Sequence, residues 1–185
     1  MSRFWLFLAL ATFFAGCSED TKHRVLVSTA SQQMIVLREG VKIAEYPVST
    51  SKFGLGDRFG SNATPLGLFK VQKKIGHGAP AGAVFKARRP TGEVLGIDTP
   101  GRDPIVTRIL WLDGQETQNR HAYERFIYIH GTPEERLIGT PASYGCIRMR
   151  SRDVVELFDT VGEGARVKIV SEPFRENLEG TNPPN

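Results

Sequence analysis

From Val25 to Val170 the chain is a succession of short β-rich runs separated by glycine, proline or polar turns, and only one stretch keeps a helical repeat. The runs are Val25–Ser28, Met34–Arg38, Val41–Val48, Gly67–Lys74, Ile105–Asp113, Phe126–His130 and Arg166–Val170, with Glu39-Gly40 reading as a hairpin turn. The exception is the segment after Arg150, where Val154, Leu157, Phe158 and Val161 form one apolar face. Ser151 is placed to cap it, Asp153 suits the positive end of its dipole, and Gly162 stops it. Such a pattern favours a mainly β domain with one or two short helices over a helical bundle. The 19 glycines and 11 prolines fit a loop-rich chain, and 185 residues suffice for one domain. The loops fall at Ser49–Pro65, at Gln115–Glu124, at Gly131–Gly145 and at Gly76–Gly96. The last is long and irregular, as function-bearing loops often are.

The N-terminus reads as a targeting segment. Arg3 precedes an uncharged apolar run, Phe4–Phe14, too short for a bilayer core that takes about 20 residues to span. Phe14-Ala15-Gly16-Cys17 resembles the lipobox of bacterial lipoproteins, with Phe14 where that pattern prefers an aliphatic residue. The resemblance implies cleavage before Cys17, lipidation of that residue and attachment to a membrane. Ser18 after the cysteine directs such proteins to an outer membrane where one exists. The expected organisation is a signal peptide at 1–16, a lipidated Cys17 with a short tether at 17–24, a catalytic domain at 25–171 and a flexible tail at 172–185. The expected location is the periplasmic side of the cell envelope.

A formal net charge of +4 is mildly basic and suits an anionic wall polymer. No dense basic run or binding motif points to nucleic acid. Cys17 and Cys146 are the two cysteines. A disulfide is one reading of the pair; lipidation of Cys17 would leave Cys146 a lone thiol in an oxidising compartment, which a reactive role would explain. His77 and His121 sit in polar loops, His23 sits in the tether, and no Cys/His spacing suggests zinc. Arg88-Arg89 reads as a solvated turn, with an anion site as the alternative.

A cysteine nucleophile needs a base and groups that stabilise an oxyanion. His130 ends an apolar run, and Cys146 follows Ser143-Tyr144-Gly145, a stretch whose successive N–H groups can converge on one oxygen. Proximity to His130 would lower the thiol pKa. Alone, one histidine and one cysteine also fit a structural pair.

The segments Ile129-His130-Gly131-Thr132 and Ser143-Tyr144-Gly145-Cys146-Ile147-Arg148-Met149 resemble the signature of YkuD-type L,D-transpeptidases. Further matches are Ser31-Gln32-Gln33-Met34, Tyr46-Pro47-Val48-Ser49-Thr50 and the turn Thr64-Pro65-Leu66-Gly67-Leu68-Phe69. The resemblance spans Val25 to Val170 and implies a YkuD-like β-sandwich. It implies that Cys146 attacks a donor tetrapeptide between residues three and four, with D-alanine leaving and a thioester remaining. His130 would be the base and the Gly131 carbonyl would orient its ring. The N–H groups of Gly145 and Cys146, with Tyr144 beside them, would form the oxyanion hole. Arg148 would meet a substrate carboxylate and Ser143 would contact substrate. Tyr144 stands where many members carry histidine. Peptidoglycan stems are the implied partner; no cofactor or metal is implied, and the oligomeric state is left open. The expected outcome is wall cross-linking. Alternatives are a carboxypeptidase or an enzyme anchoring an envelope protein through the same thioester, or, from another class, a wall-binding lipoprotein without catalysis.

Overall fold

The computed structural model describes residues 19–174. The expected signal peptide, Cys17 and most of the expected tail lie outside the described residues.

Among the described residues there are ten strands and one α-helix: β1 (His23–Ser28), β2 (Gln33–Arg38), β3 (Val41–Pro47), β4 (Gly67–Ile75), β5 (Ala83–Lys86), β6 (Arg89–Val94), β7 (Ile105–Gly114), β8 (Tyr128–Gly131), β9 (Ile147–Met149), α1 (Ser151–Thr160) and β10 (Arg166–Val170). The main path runs β3-β2-β1-β10-β4-β7-β5-β6, and β8 branches from β7 to carry β9. The Ser49 N–H donates to the Arg148 carbonyl at 3.0 Å and the Arg148 N–H to the Ser49 carbonyl at 2.8 Å. These two bonds join β9 to the chain leaving β3, so the layers of the sandwich meet. The mainly β expectation holds.

Alternation along the strands divides the interior in two. Val25, Val27, Met34, Val36, Phe69, Val71, Val167 and Ile169 turn into a core capped by Val154, Leu157 and Phe158 of α1. Strand β7 is buried on both faces. Its Leu110 and Leu112 join that core, while Ile109 and Trp111 point into a smaller cluster with Phe85 and Tyr128. Strands β8 and β9 follow the same division: Ile129, Ile147 and Met149 face the large core, which sends Tyr128, His130, Cys146 and Arg148 to the other side.

Several expectations need correction. Gly76–Gly96 is not irregular: it contains the β5–β6 hairpin, hidden in the sequence because β6 is exposed throughout and has no buried face to read. Arg150, not Ser151, occupies the N-cap position of α1, with no side-chain cap, and the Ser151 hydroxyl instead meets Thr107 Oγ1 at 2.8 Å. The folded domain begins before Val25. Asp20 accepts hydrogen bonds from the Gly162 N–H at 2.7 Å and the His23 N–H at 3.0 Å, so the second half of the expected tether is docked and His23 opens β1. At the other end, the Glu172 carbonyl accepts from Ser28 Oγ at 2.7 Å.

Candidate active site

Cys146 lies just before β9, which pairs in parallel with β8 so that Ile129 faces Ile147 and His130 faces Arg148. Partners in register share a face, so Cys146 and His130 sit diagonally on one surface of adjacent strands. The loop carrying the thiol is clamped from several sides. Thr64 Oγ1 accepts from the Ser51 N–H and donates to the Gly145 carbonyl, both at 3.0 Å. The Thr50 carbonyl receives the Ala142 and Ser143 N–H groups, each at 2.9 Å. The threonine-proline turn and the strand-end serine and threonine found in the sequence are thus the frame of the cysteine loop. Gly145 has φ +117, a conformation that favours glycine, and a Cβ there would press on the Ala63 carbonyl oxygen at 3.2 Å.

The sulfur is half-buried among main-chain groups. It accepts from the Tyr128 N–H at 3.4 Å and donates to the Phe126 carbonyl at 3.3 Å. Phe126 itself holds φ +58, a strained value for a bulky residue. No hydrogen bond joins the sulfur to His130 among the described residues. The imidazole is buried, and its Nδ1 lies 2.8 Å from the Gly131 carbonyl oxygen. A carbonyl only accepts, so Nδ1 carries the proton and Nε2 keeps a free lone pair.

Burial sets both ionisation states. It pulls the imidazole down to about 4, the Gly131 carbonyl opposing and the Arg148 charge assisting. It pushes the Cys146 thiol up to about 11, against the Tyr128 N–H and the charges of Arg148 and Arg125. The expectation of a thiol acidified by His130 is therefore corrected: at neutral pH the resting pair is a thiol and a neutral imidazole, because both are desolvated and neither bonds the other. Iodoacetamide labelling of Cys146 should accordingly be slow at pH 7 and climb steadily as pH rises toward 11. A plateau reached below pH 8 would show a thiolate already formed.

Of the other predicted residues, Ser143 is fully buried and serves the loop: its Oγ donates to the Cys146 carbonyl at 2.6 Å and accepts the Gly145 N–H at 3.2 Å. Its hydroxyl is thus committed to the loop and occupies one of the expected oxyanion donors. The Tyr144 and Cys146 N–H groups make no hydrogen bond among the described residues and remain available. The Tyr144 side chain is exposed, receives Lys52 Nζ on its hydroxyl at 3.1 Å and packs on Phe53 at 5.2 Å between centroids. Arg148 is buried and ion-paired with Asp103 and with Glu134, the latter at 3.7 Å. The guanidinium expected to meet a substrate carboxylate meets two of the protein's own, Asp103 from far upstream and Glu134 from the loop between the two motifs.

Gly131 packs against the bulge in β7, where Thr107 has φ +71 and the register skips between Val106 and Ile109. A Cβ at Gly131 would stand 2.7 Å from the Val106 carbonyl oxygen. Gly131→Ala should therefore cost about 1–3 kcal/mol of stability by overpacking. It should also slow any reaction that needs the His130 ring held in place; chemical unfolding monitored by tryptophan fluorescence would measure the first effect.

The sequence reading missed Arg125 and Asp57. Their buried pair, 2.8 Å apart, sits beneath the cysteine loop and also binds the Ala63 carbonyl, which packs beside Gly145. It missed the aromatic group of Trp111, Tyr123, Phe126 and Tyr128 as well, although Phe126 and Tyr128 stand two apart on one run.

Residues 22–169 match the family described as the YkuD L,D-transpeptidase catalytic domain. "Putative L,D-transpeptidase YqjB" of Bacillus subtilis (strain 168) is 30% identical over 150 residues, covering 80% of this chain and 71% of that protein. "Probable L,D-transpeptidase YbiS" of Escherichia coli (strain K12) is 40% identical over 164 residues, covering 84% of this chain and 50% of that protein. Among solved structures, L,D-transpeptidase 3 from Mycobacterium tuberculosis in complex with a faropenem-derived adduct aligns with a TM-score of 0.53 at 16% identity, over 82% of this chain and 60% of that one. At that identity the likeness is one of fold.

Proposed function

We propose, because the chain belongs to the YkuD family of L,D-transpeptidase catalytic domains, that it is a cysteine acyltransferase acting on peptidoglycan stems through Cys146 and His130. What carries this reading is the thiol on the same strand surface as an imidazole whose Nδ1–H is fixed by the Gly131 carbonyl, leaving Nε2 as the base.

In the first half-reaction Sγ attacks the carbonyl carbon between residues three and four of a tetrapeptide stem, and the thiol proton passes to His130 Nε2. The apposition tightens when substrate fills the cleft, as catalytic hydrogen bonds often do. The Tyr144 and Cys146 N–H groups receive the developing oxyanion; one such donor is worth about 10²–10³ in rate. Collapse breaks the peptide bond, His130 returns the proton to the departing D-alanine nitrogen, and a thioester remains. In the second half-reaction an acceptor amine gives its proton to His130 and attacks the thioester, forming a new amide and restoring the thiol. With the stem of a neighbouring strand as acceptor, the product is a wall cross-link. Arg148, already paired with Asp103 and Glu134, acts on the imidazole from beside it.

The direct test incubates the protein with a synthetic tetrapeptide stem and weighs it intact. The expected mass gain is the acyl tripeptide, lost again when an amine acceptor is added. Discharge by water at the same rate with or without amine would favour the carboxypeptidase alternative, and no adduct at all would leave the wall-binding alternative. A membrane-attached location on the periplasmic side through lipidated Cys17 completes the proposal. Cys17→Ser should move the protein from the membrane to the soluble fraction.

A further inference from the structure

Strands β5 and β6 are joined by the shortest kind of hairpin. Lys86 pairs with Arg89, so Ala87 and Arg88 alone form the loop, with φ of +47 and +65. Turns of this shape favour asparagine and glycine, and a side chain at either position carries steric strain. The strained position here holds an arginine, and the turn aims it at the active-site face. The Arg88 guanidinium lies 4.9 Å from the Trp111 ring centroid and 4.8 Å from that of Phe126. Its Nη1 approaches the Tyr128 hydroxyl at 3.5 Å. Two of these three residues also hold the nucleophile, through the Phe126 carbonyl and the Tyr128 N–H.

The charges around the site make Arg88 stand apart. Arg125 is spoken for by Asp57, and Arg148 by Asp103 and Glu134. Arg88 has no carboxylate partner among the described residues. Apart from the long Nη1 contact to the Tyr128 hydroxyl, a half-buried guanidinium lying over aromatic rings keeps its N–H donors free, enough to grip a carboxylate at two points. We propose that Arg88 binds the free C-terminal carboxylate of the donor stem. That group lies one residue beyond the carbonyl that Cys146 attacks, a step of about 3.5 Å along an extended chain. This assignment rests on the acyl-transfer reading above. It gives the enzyme a reason to prefer a stem ending in its fourth residue over a longer one, whose carboxylate would fall out of reach.

Binding is measured with the Cys146→Ala protein, which cannot turn the ligand over, using a tetrapeptide stem ending in a free acid and the same stem ending in an amide. With Arg88 in place the acid should bind about 10-fold tighter than the amide, the scale of a hydrogen bond to a charged group. Arg88→Gly should erase that ratio, and Arg88→Lys should keep only part of it. Glycine relieves the strain at φ +65 and so offsets the loss of the Arg88 contacts to Trp111 and Phe126; Arg88→Gly should remain folded, checked by its unfolding temperature. A preference that survives in Arg88→Gly overturns the assignment. So does equal binding of acid and amide with Arg88 present, or a preference that follows only a side-chain carboxylate of residue three. Acylation is read separately, by intact mass on the protein with Cys146. Its absence, with the acid preference intact, would remove the acyl-transfer reading and leave Arg88 as a carboxylate site.

Discussion

Cys146→Ala should abolish thioester formation, a loss of at least about 10⁴-fold, while the domain remains folded. The sulfur makes two weak bonds to main-chain groups and is half-buried, so its removal should cost about 1 kcal/mol of stability. A mass adduct on the alanine variant would sink the nucleophile assignment. His130→Gln gives the complementary result. The base is worth about 10²–10⁴ in rate near neutrality, and its loss should slow acylation by that factor. Because the thiol is pushed up to about 11, the glutamine variant should recover rate steadily toward high pH, where thiolate forms without a base. The unsubstituted protein should instead lose rate as pH falls through about 4, where His130 takes up a proton and its lone pair is gone. An inflection near pH 6.5 would mean that the imidazole is solvated and that the desolvated pair described above is wrong.

Asp57→Ala should be the most destabilising polar substitution near the site. The side chains of Arg125 and Asp57 are 5% and 8% exposed. Arg125 donates to the carboxylate at 2.8 Å, to the Gly56 carbonyl at 3.0 Å and to the Ala63 carbonyl at 2.7 Å, while Asp57 also accepts the His121 N–H at 2.8 Å. Removing the carboxylate leaves a buried guanidinium without its counter-charge, which costs about 3–5 kcal/mol. The same change loosens residues 56–64, whose threonine holds the Gly145 carbonyl, so activity should fall further than the population of folded protein explains. Denaturant unfolding measures the first effect, and acylation rate per folded molecule the second. A change below 1 kcal/mol would mean that water reaches Arg125. Replacing both residues by apolar side chains should recover much of the stability and none of the positioning.

The amino-acid sequence alone was enough for the mainly β class and the helix after Arg150, and its resemblance to a family picked out the two residues on which the chemistry is proposed to rest. Those features depend on local rules. Strand and helix propensities, glycine where the backbone must turn, and a histidine and cysteine in short recognisable motifs can all be read within a few residues. The sequence also marked the threonine-proline turn and the segment from Tyr46 to Thr50, without saying that they clamp the cysteine loop. Tertiary structure alone decided that Arg148 is neutralised by Asp103 and Glu134, that Ser143 is turned inward, and that Arg125 finds Asp57. It also hid a hairpin in a loop, since β6 buries nothing and leaves no pattern. The protonation of the reacting pair belongs to the same group. A pKa depends on how much water is excluded and which charges stand within a few ångströms. The neighbours that act, Arg125, Tyr128, Gly131 and Arg148, are close in sequence, but only the packing of the whole domain desolvates the pair.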